Sequence, residues 1–431
     1  MADLLALSSA VIDEGQPLEK SGPLNRITHE LSEIGPRLAM VEAFSHCIVF
    51  DTDDGLVAFD TSNEYGGAKC VNQIRRWRSD PFNTIVYTHG HIDHVGGCGA
   101  FMAEAEDAGR PGPRVVGHEN VPKRFERYNL TNGYNMVINE RQFGQFKGRG
   151  YDLAGHARFL PVTTPAPSTT YRDTLNFSVG GLDFELRHAK GETDDHTWAW
   201  IPEHKAICAG DFFIWAFPNA GNPQKAQRYP REWAVALREM AGMGAELFLP
   251  AHGLPIGGRE RIARVLNEVA GSLEYIVTET LKLMNEGARL NDILHSVKTD
   301  PDLLEKPYLR PVYDEPEFIV QNIWRLYGGW YDGNPAHLKP AREVALASEV
   351  AELAGGPVKL AERALALADV DVRLACHLAE FAALAAPADP AVHALRAEVF
   401  QIRRNGETSL MAKGVFGQAA NESRKKAGED V

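Results

Sequence analysis

The chain has 431 residues, 44% hydrophobic and 24% charged, enough for a large core without staples and for about three domains of roughly 150 residues. Lys and Arg number 45 against 58 Asp and Glu, and a net charge of −13 counts against a general nucleic-acid binder, though not against a small anionic substrate. Five cysteines without a C-x-x-C pair exclude a disulfide framework and fit a reducing compartment.

From the N-terminus, no Lys or Arg precedes Lys20, and Asp3, Asp13 and Glu14 break the apolar run, so no secretory signal is read. No apolar run approaches the roughly 18 residues of a membrane span, and a cytoplasmic protein is expected. Cys47–Phe50 and Leu56–Phe59 flank an Asp-rich turn and predict a hairpin. Thr84–Tyr87 and Arg114–Val116 read as buried strands. The polar stretch 119–165 reads as a partly helical insertion covering a site. Strand patterns resume at Leu182–Leu186, Thr197–Ile201, Ala206–Ala209 and Leu247–Leu249, and Ala263–Met284 is a long periodic helix. Beyond Pro340 the chain is rich in Ala and Leu at helical spacing, and the helices pair like tetratricopeptide hairpins. Three segments follow: 1–310 as a catalytic domain, 311–425 as a helical domain, and 426–431 as a frayed tail.

The strongest signal is Thr88-His89-Gly90-His91-Ile92-Asp93-His94, which sets four ligand-type side chains within six residues at a strand end. Burying that much polarity unpartnered costs several kcal/mol, and a divalent metal supplies the partner. His89 and His91 can point into one coordination sphere while Asp93 and His94 address a second.

This arrangement resembles the metallo-β-lactamase superfamily, which implies an α/β fold, an αββα sandwich, here followed by an all-α helical-hairpin dimerisation domain. The resemblance asks for three further ligands. Glu192, in Gly191-Glu192-Thr193, stands where the superfamily usually has His, with His196 as its rival, otherwise a catalytic candidate that either supports the ligands from behind or faces substrate. Asp211 matches the carboxylate that bridges the metals, and His252 the last His on the second. Asp60 resembles the family's buried Asp behind the metals, with a turn role as the alternative. His118 and His188 lie at strand ends near the site; His46 and the remaining histidines lack ligand spacing.

Glu192, the string Gly329-Trp330-Tyr331-Asp332-Gly333-Asn334-Pro335 and the Ala-rich helices after it are similar to the alkylsulfatase branch, which implies a homodimer through residues after about 311. The string itself reads as a domain-joining turn. Three departures stand out. The family carries Glu where Asp211 stands. It places an Arg-Gly pair after that carboxylate, where this chain has Ala220-Gly221-Asn222-Pro223-Gln224 and its nearest cations are Lys225 and Arg228. It also continues into a sterol-carrier-like domain that this sequence does not include, which weakens the case for long-chain alkyl sulfates.

The resemblance implies two divalent ions, zinc first and manganese or iron as alternatives, and a metal-bridging hydroxide oriented by Asp93. Two ions against three carboxylates leave a core of about +1, near neutral once it holds a hydroxide, so an anionic ester calls for a supporting cation, with Arg228, Arg141 and Lys147 as candidates. Tyr128, Tyr134, Asn135 and Asn139 in the insertion are candidates to line the pocket, with loop packing as the alternative, and the aromatic run Phe212, Phe213, Trp215 and Phe217 reads equally as core or as an apolar wall for the organic part of the substrate. The expected reaction is hydrolysis of an organic sulfate ester. The alternative is a lactone, lactam or other carboxylic ester on the same core, with an iron oxidoreductase behind both. No partner beyond a small ester and a second copy of the chain is expected.

Overall fold

The computed structural model describes residues 3–16, 26–143 and 158–430. Lys147 and most of the central stretch of the 119–165 insertion lie outside them. Two units are present, one made of Met1–Met136, Gly155–Gly287 and Asp292–Gly328, the other of Val137–Ala154, Ala288–Asn291 and Gly329–Val431.

The first unit is an α/β sandwich of two sheets. Strands β1 (Leu31–Gly35), β2 (Leu38–Val41), β3 (Cys47–Thr52), β4 (Gly55–Phe59), β5 (Phe82–Val86), β6 (Arg114–His118) and β7 (Thr169–Tyr171) lie side by side in that order. The pairs from β1 to β4 are antiparallel and those from β4 to β7 parallel. The second sheet holds β8 (Thr174–Val179), β9 (Leu182–His188), β10 (Thr197–Ile201), β11 (Ala206–Gly210), β12 (Leu247–Pro250) and β13 (Ile256–Gly257), also neighbours in sequence order. β3, β4 and β11 are buried at every position, the pattern of strands covered on both faces. Phe184 of β9 joins the sheets, its ring 5.7 Å from Phe50 and 6.1 Å from Phe59.

Helices cover the sandwich. Asn63 caps the helix Glu64–Trp77 by accepting the Gly66 N–H at 2.8 Å, and that helix packs against Cys98–Asp107. Pro230 opens the helix Pro230–Gly242, which lies along Arg259–Asn285. The long helix buries Ile262, Val265, Leu266, Val269, Leu273 and Ile276, a spacing of three and four that makes one apolar face.

The second unit is all helical over Glu343–Leu353, Pro357–Leu367, Val372–Ala385, Pro390–Gly406 and Leu410–Ala427. Ala361, Ala364, Ala375, Ala379 and Ala382 are fully buried, small side chains that let neighbouring helices approach closely. Asp371 and Asp389 cap the third and fourth of these helices, and Pro390 is set at a first helical position. The Gly329–Pro335 string forms a turn in which Asp332 accepts from His337 Nδ1 at 2.5 Å and Asn334 caps the short helix Pro335–Leu338.

Candidate metal centre

The ligand-type residues follow β5, β9, β11 and β12 in the first unit, Asp93 and His94 on the short helix Ile92–Val95 and the others on loops. Their side-chain donors form two groups, His89, His91, Glu192 and Asp211 in one and Asp93, His94 and His252 in the other, each with its atoms within 4.8 Å of one another. In the first, His89 Nε2 lies 2.9 Å from His91 Nδ1, and His91 Nδ1 lies 3.7 Å from Glu192 Oε1. In the second, Asp93 Oδ2 lies 3.5 Å from His94 Nε2 and 3.4 Å from His252 Nε2. Asp211 stands between them: Oδ2 is 3.9 Å from His89 and 3.3 Å from His94, and Oδ1 is 3.4 Å from His252.

The donor set fits divalent cations. His94 Nε2, Glu192 Oε2 and Asp211 Oδ1 are buried without a hydrogen-bond partner, an arrangement that costs stability unless a charge is drawn in. Burial pushes His94 down, but Asp211, Asp93 and Asp60 outweigh it and hold the imidazole well above its ordinary range. Burial raises the Glu192 carboxyl despite Arg228, whereas His94 and His252 overcome burial and hold Asp211 low. Carboxylates this close cannot all stay charged without a cation.

Asp60 anchors the floor of the site. Its backbone is left-handed, at φ +57°, and its side chain is buried. Oδ1 accepts the Thr88 N–H at 2.8 Å, while Oδ2 accepts the Thr88 hydroxyl and His94 Nδ1–H, both at 2.7 Å. That last bond leaves His94 Nε2 as the atom facing Asp93 and Asp211. Asp60 therefore closes a turn and lies behind the cluster at once.

Two groups named from the sequence occupy places that spacing does not reveal. His196 is fully buried and outside the ligand groups; its Nε2 accepts the Asp211 N–H at 3.1 Å, and its ring stacks on His89 at 4.3 Å. With its acceptor used and its ring enclosed, it faces neither solvent nor a substrate space, which corrects the catalytic expectation. Arg228 is buried against Glu192, donating from Nη1 to the Glu192 carbonyl and lying 3.2 Å from Oε1 through Nη2. Asn219 also donates to Glu192 Oε1.

Of the residues expected to line a pocket, Trp215 has a settled place. Trp215 is fully buried, its indole N–H donating to Leu254 O at 2.7 Å and its ring against Phe213, so it belongs to the core beneath the His252 loop. Asn135 turns its amide back to Thr131 one helical turn earlier, and Tyr134 beside it is 60% exposed. Arg141 and Asn139 belong to the second unit. His118 and His188 stack on each other at 3.7 Å and bond to the Arg172 and His196 carbonyls, a satisfied pair. His46 is buried between the carbonyls of Ala43 and Gly253. Arg124, Asp195, Asn219 and Asn322 were not singled out from the sequence; each acts across a long separation, and no motif marks it.

Comparison with known proteins gives the same two-part division. Residues 41–252 match the family model described as the metallo-beta-lactamase superfamily, and 289–426 the one described as alkyl sulfatase dimerisation. A linear primary-alkylsulfatase of Pseudomonas sp. is 27% identical over 329 residues, covering 72% of this chain and 61% of the relative. An (R)-specific secondary-alkylsulfatase of Pseudomonas sp. is 26% identical over 392 residues, covering 86% and 59%. This chain thus spans about three fifths of the length of these relatives. The solved structure of a stereoselective inverting sec-alkylsulfatase from Pseudomonas sp. superposes with a TM-score of 0.80 at 24% identity, covering 92% of this chain and 66% of that one. No helix of the described residues is long and apolar enough to cross a membrane.

Proposed function

The chain carries a metallo-beta-lactamase superfamily region followed by an alkyl sulfatase dimerisation region, and from that premise we propose that it is a metal-dependent hydrolase of an organic sulfate ester. The observation that carries the reading is the pair of donor groups joined by Asp211, with a buried guanidinium beside Glu192. His89, His91 and Glu192 would hold one ion, Asp93, His94 and His252 the other, and Asp211 would contact both. Divalent ions bound there, zinc first, supply Lewis acidity and water acidified to a pKa of about 7.

The chain's own residues set how that chemistry is used. Asp93, whose side chain is 23% exposed, is the most open carboxylate of the two groups and orients the attacking water by accepting its proton. Arg228 adds a fixed positive charge behind Glu192 and would lift a core made near neutral by its hydroxide to about +1, which favours a monoanionic ester over a neutral one. Lys225 lies on the same loop, over the Phe159 ring at 5.7 Å; burial, and then Arg228, push its amine down to about 7, so it is not a fixed cation.

The test is sulfate release from short and medium alkyl sulfates by zinc- or manganese-loaded protein against a chelated control, read by ion chromatography. Release that depends on metal and is lost in His91→Ala, with the variant still folded, is the expected result. Two ions bound per chain without sulfate release would overturn the sulfate ester in favour of a lactone or other carboxylic ester.

A further inference from the structure

The turn Glu192–His196 brings more to the centre than one carboxylate. Asp195 is fully buried, and its Oδ2 accepts the Gly90 N–H at 3.1 Å, the amide lying between His89 and His91. The same oxygen accepts from Arg124 Nε at 2.8 Å, and Arg124, on the helix Asn120–Leu130, also donates to Asp194. One residue later, His196 accepts the Asp211 N–H, its ring packed between His89 and Phe212 at 4.3 Å from each. The Thr197 N–H, donating to Thr88 O at 2.7 Å, ties the end of this turn to the start of the histidine loop.

The fit leaves no slack. A Cβ at Gly90 would fall 2.9 Å from both Asp195 Oδ2 and Arg124 Cδ, and one at Gly210, where φ is +54°, would fall 2.7 Å from His196 Nε2. Both loops are therefore built around these two acceptors.

We propose that Asp195, clamped by Arg124, and His196 are positioning residues that register the His89–His91 turn and the Asp211 turn against Glu192. One five-residue turn then sets the spacing of the whole first donor group. The inference rests on the hydrolase reading above. An ionised acceptor on a backbone N–H is among the stronger hydrogen bonds available, and loss of a partner behind a metal ligand typically costs about 10- to 100-fold in affinity or activity. A pair that served stability alone would shift melting and leave metal capture unchanged.

The experiment uses the full chain loaded with cobalt(II). Arg124→Met with Asp195→Leu removes the acceptor without leaving a lone buried charge. His196→Phe keeps the stacked ring but not the acceptor, and His196→Gln restores an acceptor. Cobalt affinity by chelator competition, the visible cobalt spectrum, melting temperature, kcat and KM are read together. Expected for the double variant and for His196→Phe is about a 10- to 100-fold loss in affinity or kcat. A changed cobalt spectrum and a KM within about twofold should accompany that loss, with His196→Gln recovering most of it. Wild-type affinity and spectrum in both variants, whatever their melting temperatures, would overturn the proposal. If the double variant does not fold, the His196 pair decides by itself. Wild-type protein that takes up no cobalt would instead overturn the metal reading, and the positioning role with it.

Discussion

Arg228 spends its guanidinium on Glu192, with side chains only 3% exposed on both sides of the pair. Breaking a buried pair by removing one partner costs about 3–5 kcal/mol, so Arg228→Met should melt well below wild type. If the guanidinium also draws in an anionic ester, KM for alkyl sulfates should rise about tenfold, a change of about 1.4 kcal/mol in binding; steady-state kinetics with an unchanged KM would detach it from that role. His118 gives a second prediction. The Asn120 N–H donates to its Nδ1 at 3.2 Å, and its Nε2–H donates to Arg172 O at 2.8 Å, which fixes the neutral ring. Burial first, and then His188, pushes its pKa from 6.5 down to about 4. The unfolded chain therefore takes up the proton first: this contribution to stability is complete above pH 6.5 and is lost as pH falls through 4. Melting temperature should fall less steeply over that window in His118→Gln than in wild type. At this scale the sequence was most legible where chemistry is contiguous, as in His89 to His94. Glu192, Asp211 and His252 could be read by their order after that motif. Asp195 could not, because its bond to Gly90 spans 105 residues and no spacing encodes it. Trp215 stayed open between core and pocket wall because an aromatic run does not say which rings face inward; it is core.

Among the elements, the helix Pro316–Tyr327 holds the Arg228 loop through Asn322 and Arg325, the latter donating from Nε to Gln227 Oε1 at 3.0 Å. Asn322 donates from Nδ2 to Arg228 O at 2.9 Å, and its Oδ1 accepts from Arg228 N–H at 3.2 Å and from Gln227 Nε2 at 2.9 Å. It thus replaces a missing strand partner for the loop that carries Arg228. Asn322→Leu leaves the Arg228 N–H unpaired, at a cost of about 1–3 kcal/mol, while the Arg228 carbonyl keeps its bond from Gln227 Nε2 at 2.9 Å. Sulfate-ester kcat/KM should fall about tenfold, equivalent to about 1.4 kcal/mol of transition-state stabilisation, while the fold is kept by circular dichroism. Equal activity would show that the loop holds its shape without the helix. The central strands were legible from their apolar runs, but β1, β2, β7, β8 and β13 were not. β8 alternates between exposed and half-buried positions, and a strand wet on one face carries a weak pattern. The signal for β1 and β2 was present in the Gly35-Pro36-Arg37 turn between two apolar runs.

At the scale of the whole molecule, the helical unit exposes Trp330, Leu338, Val344, Leu346, Leu353 and Val370, between 51% and 88% of each residue's surface. Apolar side chains in that number favour a partner surface, and the match of 289–426 to the alkyl sulfatase dimerisation model points to a second copy of the chain. Light scattering at micromolar concentration should give twice the 47.5 kDa chain mass, and Leu353→Glu with Val370→Glu should shift the population toward monomer. A wild-type monomer would remove this reading. The helical character of this unit was legible because alanine and leucine repeat at helical spacing; which faces remain open was not, because burial depends on how the helices pair.

The two donor groups draw on side chains from His89 to His252, carried by loops of both sheets. Neither sheet alone holds a complete group, so the cluster comes into being only when the sandwich closes. Contacts this distant in sequence form late, after local hairpins and helices. Refolding followed by cobalt colour should therefore lag behind refolding followed by far-ultraviolet dichroism, and adding the ion early should leave the first phase unaltered while protecting the last.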